Sequence, residues 1–144
     1  MLFRSTLEYD GTPFVGWQIQ SVGLSVQGVL QEAIFNFSGE RVTVKAAGRT
    51  DTGVHALGQV VHFDLDKEWE ATRVREAINY HLKPYPVVGL SCKLAPLTFD
   101  ARFSAIERHY IYRILQRPVR PILNQNRVWW VIRSEEHTSE FQSH

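Results

Sequence analysis

Twice along this chain the hydrophobic period changes from 2 to about 3.6 residues and back, and the order of those changes limits the folds open to it. Leu2 to Tyr9 alternates, with Phe3, Ser5, Leu7 and Tyr9 on one side and Leu2, Arg4, Thr6 and Glu8 on the other, as in a half-buried strand. Asp10-Gly11-Thr12-Pro13 breaks it. Val26, Val29, Leu30, Ala33, Ile34 and Phe37 then form a helical stripe, with Ser25 placed to cap its start and Gly39 its end. Arg41 to Ala46 and Gly58 to Leu65 read as two further strands. A second helix is expected from a cap at Thr72 to Leu82, on a stripe of Val74, Ala77, Ile78, His81 and Leu82, before Pro84 and Pro86. Val87 to Leu94 alternates again, with Val88, Leu90, Cys92 and Leu94 expected to face inward. The order βαββαβ specifies an α+β fold: a ferredoxin-like antiparallel sheet with both helices on one face and the other face free to receive RNA.

Between the second and third strands lies Ala46-Ala47-Gly48-Arg49-Thr50-Asp51-Thr52-Gly53-Val54-His55-Ala56, where an arginine, a carboxylate and a histidine sit on a glycine-bracketed loop. Glycine permits positive φ or close approach to a ligand, and Thr50 and Thr52 can hydrogen-bond the local backbone. In an extended segment Arg49 and Asp51 would share a side and pair, which suits a carboxylate used as nucleophile or base. The plainer reading is an Asx-turn with a surface ion pair. Asp51-Thr52-Gly53 also matches the aspartic-protease tripeptide, but that chemistry calls for an apolar pair before the aspartate and an all-β chain, and neither is present here.

The formal charge of +1 hides an uneven distribution. Residues 1–101 hold 9 Lys/Arg against 11 Asp/Glu, whereas residues 102–133 hold 7 Arg against Glu107 alone. Arginines interleaved with aromatics, as in Arg108-His109-Tyr110-Ile111-Tyr112-Arg113, suit phosphate contact and base stacking, although a solvated face would have the same charge. That run reads as a strand to Leu115, and Arg127 to Arg133 as another. The lone Cys92 reads as a buried thiol. No apolar run approaches membrane-spanning length, and the N-terminus enters a strand directly, so neither a leader nor a membrane segment is expected.

Gly48-Arg49-Thr50-Asp51-x-Gly53-Val54-His55 resembles the signature of the TruA family of tRNA pseudouridine synthases. Tyr9-Asp10-Gly11-Thr12-x-Phe14-x-Gly16-Trp17-Gln18 is similar to another of its segments, as is Phe99-x-Ala101-Arg102-Phe103-Ser104 with its later tyrosines. The resemblance implies an isomerase that turns uridine into pseudouridine in the anticodon arm of tRNA, in the cytoplasm, without cofactor or metal, and as a homodimer at full length. It makes Asp51 the catalytic aspartate. Arg49 becomes the arginine that fills the space of the flipped base and pairs with that aspartate. Tyr110 becomes the tyrosine stacked on the uracil, and Arg102, with Phe99 and Phe103, a tRNA-contacting segment. The roles of His55 and His62 stay open, with His62 read as an ordinary strand residue, and Trp17 reads as a core plug.

Two departures are visible. Ile19 stands where a basic residue is expected, and the family's C-terminal half does not follow. The expected organisation is an N-terminal catalytic domain over 1–104, the beginning of a second similar domain over 105–133, and a tail over 134–144. That tail resembles a translated sequencing adapter. A non-catalytic ferredoxin-like RNA-binding module is the main rival reading, and a dimerisation fragment is a third.

Overall fold

The structure, a computed structural model, describes residues 1–132, so the expected tail over 134–144 lies outside the described residues. Contacts divide the chain into a first unit, Met1–Glu107, and a second beginning at Arg108. The first unit runs β1 (Leu2–Tyr9), α1 (Val26–Ser38), β2 (Lys45–Ala46), β3 (Ala56–Asp64), α2 (Ala71–Leu82) and β4 (Val87–Ala95). Its sheet has the order β2-β3-β1-β4, antiparallel throughout, which is the expected α+β split unit. Phe3, Leu7 and Tyr9 of β1 share one buried cluster with Val29, Leu30, Ile34, Val74, Ile78 and Leu82 of the two helices. Trp17 is buried in the same cluster, as a core plug should be.

α1 forms as its sequence dictates. Ser25 Oγ accepts the Gly28 N–H at 3.0 Å, and Gly39, at φ 73°, donates its N–H to Phe35 O at 2.8 Å. α2 starts two residues earlier than its sequence suggests. Glu70 occupies the cap position without a side-chain bond, its carbonyl accepts the first helical N–H from Val74, and Thr72 lies exposed inside the first turn. Trp69 decides the entry point: its ring meets Phe37 edge-on at 5.2 Å and its backbone N–H donates to Met1 Sδ at 3.3 Å. Packing of this kind outweighs the roughly 1 kcal/mol that a threonine cap contributes.

The strand expected over Arg41–Ala46 is only two residues long. Val44 cannot join a ladder because α1 holds both its backbone groups. Its N–H donates to Gln31 Oε1 at 3.0 Å and its carbonyl accepts from Gln27 Nε2 at 2.9 Å. β4 departs from its alternation as well. Ser91 pairs with Thr6 but Gly89 pairs with Leu7, so Leu90 is the extra residue of a bulge. The bulge changes the inward phase: before it Val87 and Gly89 are buried while Val88 and Leu90, expected inside, are exposed; after it Cys92 is buried as expected, and Leu94, in phase with it opposite Phe3, is exposed. Burial pushes the Cys92 thiol up to about 11, so it stays protonated and inert.

The sheet face opposite the helices is not fully open. The turn over 96–104 returns across it and sets Phe99 and Ala101 against His62. In the second unit, the strands expected over 108–115 and 127–133 shorten to β5 (Ile114–Gln116) and β6 (Trp129–Val131), which pair in parallel. A strand needs a ladder, and the paired positions begin only at Ile114. Arg117 is committed to the backbone, donating to Val119 O at 2.8 Å and Arg120 O at 2.6 Å. Among the described residues no helix is long and apolar enough to cross a membrane.

Two side chains set the fit of α1, and their removal is measurable. Gln27→Ala and Gln31→Ala should each cost about 1 kcal/mol, lowering the thermal midpoint by roughly 5 °C. Ser25→Ala should cost about the same, and Ser25→Gly only a few tenths. Calorimetric unfolding checks all four.

Candidate active site

The site is built from two loops, both anchored to the core before they touch. Asp10 Oδ1 accepts the Thr12 N–H at 3.0 Å and the Thr12 hydroxyl at 2.6 Å, and the Phe14 N–H closes a turn on Gly11 O at 3.0 Å. Phe14 and Trp17 plug into the core on either side of this loop. Bonds from Val15 N–H to Leu24 O (2.8 Å), Val26 N–H to Gly16 O (3.2 Å) and Gln27 N–H to Trp17 O (2.9 Å) join it to the start of α1.

Against this platform lies the 47–55 loop. Ala47 N–H donates to Val60 O at 2.8 Å, and Gln59 Nε2 donates to Gly48 O at 2.5 Å, which fixes the loop's root on β3. Thr50 is held twice: its carbonyl accepts the Trp17 N–H at 3.0 Å, and its hydroxyl lies 2.8 Å from the Tyr9 hydroxyl. The buried Tyr9 phenol is raised above its ordinary value, chiefly by that burial, so it remains a neutral partner. Thr52 Oγ1 donates to Val15 O at 2.9 Å and Gly53 N–H to Phe14 O at 3.3 Å. The Val54 N–H returns to Asp51 O at 3.1 Å, closing a turn whose third residue, Gly53, has φ 77°. The last tie is from Gly11 N–H to His55 Nδ1 at 2.8 Å. His55 Nδ1 also lies 3.2 Å from Asp10 Oδ1, and a proton on Nδ1 would exchange the glycine contact for the carboxylate.

Arg49 and Asp51 themselves are exposed. Among the described residues no ion pair joins them, contrary to the expectation from an extended segment. The cause is local, since the chain between them is anchored at Thr50 and turns at 51–54 rather than running straight. The loop thus ties down Thr50, Thr52, Gly53, Val54 and His55 and displays the carboxylate and the guanidinium to solvent.

The remaining expected site residues lie elsewhere. Phe99 is half-buried on the sheet, its ring 6.0 Å from His62 and 5.8 Å from the Arg4 guanidinium carbon. Arg102 and Phe103 are exposed at the tip of the 96–104 turn, with the guanidinium carbon 5.4 Å from the ring centroid. The backbone N–H groups of Phe103 and Arg102 hold the Asp100 carboxyl below the usual carboxylate range, and Asp100 gives this turn its shape. Tyr110 belongs to the second unit and is exposed. Among the described residues no group of three or more His, Cys, Asp or Glu could hold a metal ion.

Sequence reasoning missed the contact between the two loops, and the one signal for it was glycine. A Cβ on Gly11 would lie 2.0 Å from Val54 O. One on Gly16, at φ 121°, would lie 2.6 Å from Thr50 O. Both are sites where one backbone touches the other. Gly16→Ala should therefore cost about 2 kcal/mol from strain alone and displace Thr50. Thermal unfolding reads the first effect, and loss of protection of the Trp17 amide reads the second.

The sequence pattern of the tRNA pseudouridine synthase family matches residues 6–104, a span that includes both loops and the 96–104 turn. Curated relatives agree. A tRNA pseudouridine synthase A of Afipia carboxidovorans is 51% identical over 132 residues, covering 92% of this chain and 54% of that protein. Those of Allorhizobium ampelinum and Paramagnetospirillum magneticum are 50% and 53% identical, covering 94% and 90% of this chain and 53% and 50% of theirs. The chain spans about half the length of these relatives. A family pattern matched over more than half of the chain, together with three relatives at this identity, means that the chain belongs to the tRNA pseudouridine synthase family.

Proposed function

We propose that this chain is the Asp51-bearing half of an enzyme that isomerises uridine to pseudouridine in the anticodon arm of tRNA. The isomerisation breaks the bond between ribose C1′ and uracil N1, turns the base, and joins C1′ to C5. The C5 proton leaves and N1 gains one, so the sum needs no oxidant, reductant or cofactor. The target base must leave its stack to be reached. Asp51 acts on the flipped nucleotide as a nucleophile on ribose or base, or as the base that forms a glycal. Arg49 fills the space vacated by the flipped base, and Tyr110 stacks on the uracil. Arg102 and Phe103 meet the tRNA beyond the target, beside Phe99. The full-length protein works in the cytoplasm as a homodimer, with tRNA its partner and no metal.

One observation carries the reading. The carboxylate of Asp51 has no partner within the described fold, although seven residues within four positions of it are tied down by backbone or side-chain hydrogen bonds. A loop whose purpose was structural would use its carboxylate to close the turn, as Asp10 and Asp100 do. An anchored loop that leaves its charged groups to solvent is organised for a ligand.

Pseudouridine formation in an unmodified tRNA transcript tests this, with the chain as given and joined to the C-terminal half of one of the relatives above. The joined form should react, and Asp51→Ala should lower its rate by about 10³-fold or more. In the joined form Tyr110→Ala should weaken the reaction by an amount typical of one lost stack, about 1–3 kcal/mol, with Tyr110→Phe close to the unaltered protein. A joined form that binds tRNA but leaves every uridine intact would replace this reading with a non-catalytic RNA-binding module.

A further inference from the structure

A row of bases crosses the sheet on the face opposite the helices. Lys45 of β2 is opposite His62 of β3, His62 is opposite Arg4 of β1, and Arg4 is opposite Lys93 of β4. Arg4 alternates with the buried Phe3 and Ser5, so the row belongs to the side away from the helices. Lys45, Arg4 and Lys93 are exposed, but His62 is buried, because the 96–104 turn closes over it. The buried Ala101 N–H donates to His62 Nδ1 at 2.9 Å, and the Phe99 ring meets the imidazole edge-on. Nδ1 can accept that bond only when it carries no proton, so the ring is neutral with its hydrogen on Nε2.

The turn has two separable properties. Its shape comes from within. Asp100 Oδ1 accepts the N–H groups of Arg102 (2.9 Å) and Phe103 (3.0 Å), and Ser104 exchanges bonds with the Asp100 backbone, its Oγ accepting at 3.0 Å and its N–H donating at 2.8 Å. Its place comes from the sheet, through Ala101 on His62 and Phe99 between His62 and Arg4.

We infer that His62 is a positioning residue, whose unprotonated Nδ1 seats the 96–104 turn so that Arg102 and Phe103 meet the tRNA together. This rests on the functional reading above and names the residue that makes its second contact work. Arg102 offers a planar fork for phosphate and Phe103 an exposed ring for a base, a pairing that is useful only if both arrive at a fixed height above the sheet. A proton on Nδ1 would turn the acceptor towards another donor and add a cation between Arg4 and Lys45. Burial first, and then Lys45, lowers the His62 pKa below its ordinary value, while Asp100 pulls it the other way. The sign follows from that lowering. The bond to Ala101 is fully present above about 6.5, the ordinary histidine value, and is lost as pH falls through the lower folded value.

Two variants of this chain separate placement from bulk. His62→Leu keeps the volume and removes the acceptor; His62→Asn puts Oδ1 near the place of Nδ1 and does not titrate. With an unmodified tRNA transcript as probe, His62→Leu should bind about tenfold more weakly, while His62→Asn binds like the unaltered chain. Exchange of the Ala101 amide should be fast in the first and slow in the second, with β1 amides protected in both. Arg102→Ala should weaken binding in the unaltered chain and add nothing to His62→Leu. Between pH 7 and 5 general electrostatics tighten RNA binding, so the unaltered chain should tighten less than His62→Asn. Wild-type affinity in His62→Leu, or an equal cost of Arg102→Ala in both backgrounds, overturns the inference alone. Where only the form joined to a C-terminal half binds tRNA, the same variants are compared in that form; if neither form binds tRNA, the functional reading falls, and the inference with it.

Discussion

The close approach of two backbones at Gly11 and Gly16 is the constraint on which the site depends. At these points the carbonyls of Val54 and Thr50 occupy the space that a side chain would need. The bonds that result run between segments about forty residues apart, and they are made mostly by backbone groups that every residue except proline possesses. The rest of the unit keeps these segments within reach. β1 delivers the first loop and lies beside β3, which receives the second, while α1 holds the far end of the first loop. The carboxylate is presented by a seam between chain segments rather than by any one element.

How much of this could be read from the sequence depends on whether the deciding partner is near or far in the chain. α1 was legible because its cap, its stripe and its closing glycine all lie within fifteen residues of sequence. The strand before the loop was not, since Val44 looks like an ordinary strand residue until Gln27 and Gln31 take its backbone. The inward face of β4 was misread for a similar reason: alternation is a local rule, and the bulge at Leu90 is a property of its pairing with β1. Thr72 lost its expected cap to the packing of Trp69.

The candidate site divides in the same way. Arg49 and Asp51 stand out in the sequence because arginine and aspartate on a glycine-bracketed loop have little structural use there, and the structure leaves both exposed. The expected Arg49–Asp51 pair was not found, because the turn geometry at 51–54 was not written in residue spacing. The face expected to lie open to RNA carries the 96–104 turn, and nothing in that segment's composition announces that Ala101 will bond a histidine thirty-nine residues earlier. His62 looked like an ordinary strand residue because its partner is a backbone N–H.

The bulge in β4 has a consequence for how this unit behaves in a crowded solution. β4 is the edge of the described sheet, and nine residues of flat edge strand would offer a template for pairing with another copy. The extra residue at Leu90 bends that template, and beside it the Asn79 side chain takes the Gly89 N–H at 2.7 Å and donates to the Gly89 carbonyl at 3.0 Å. A strand arriving at this edge would find the ladder interrupted at its middle. The irregularity that misleads a reader of the alternation therefore also guards this unit against aggregation through the longest edge of its described sheet.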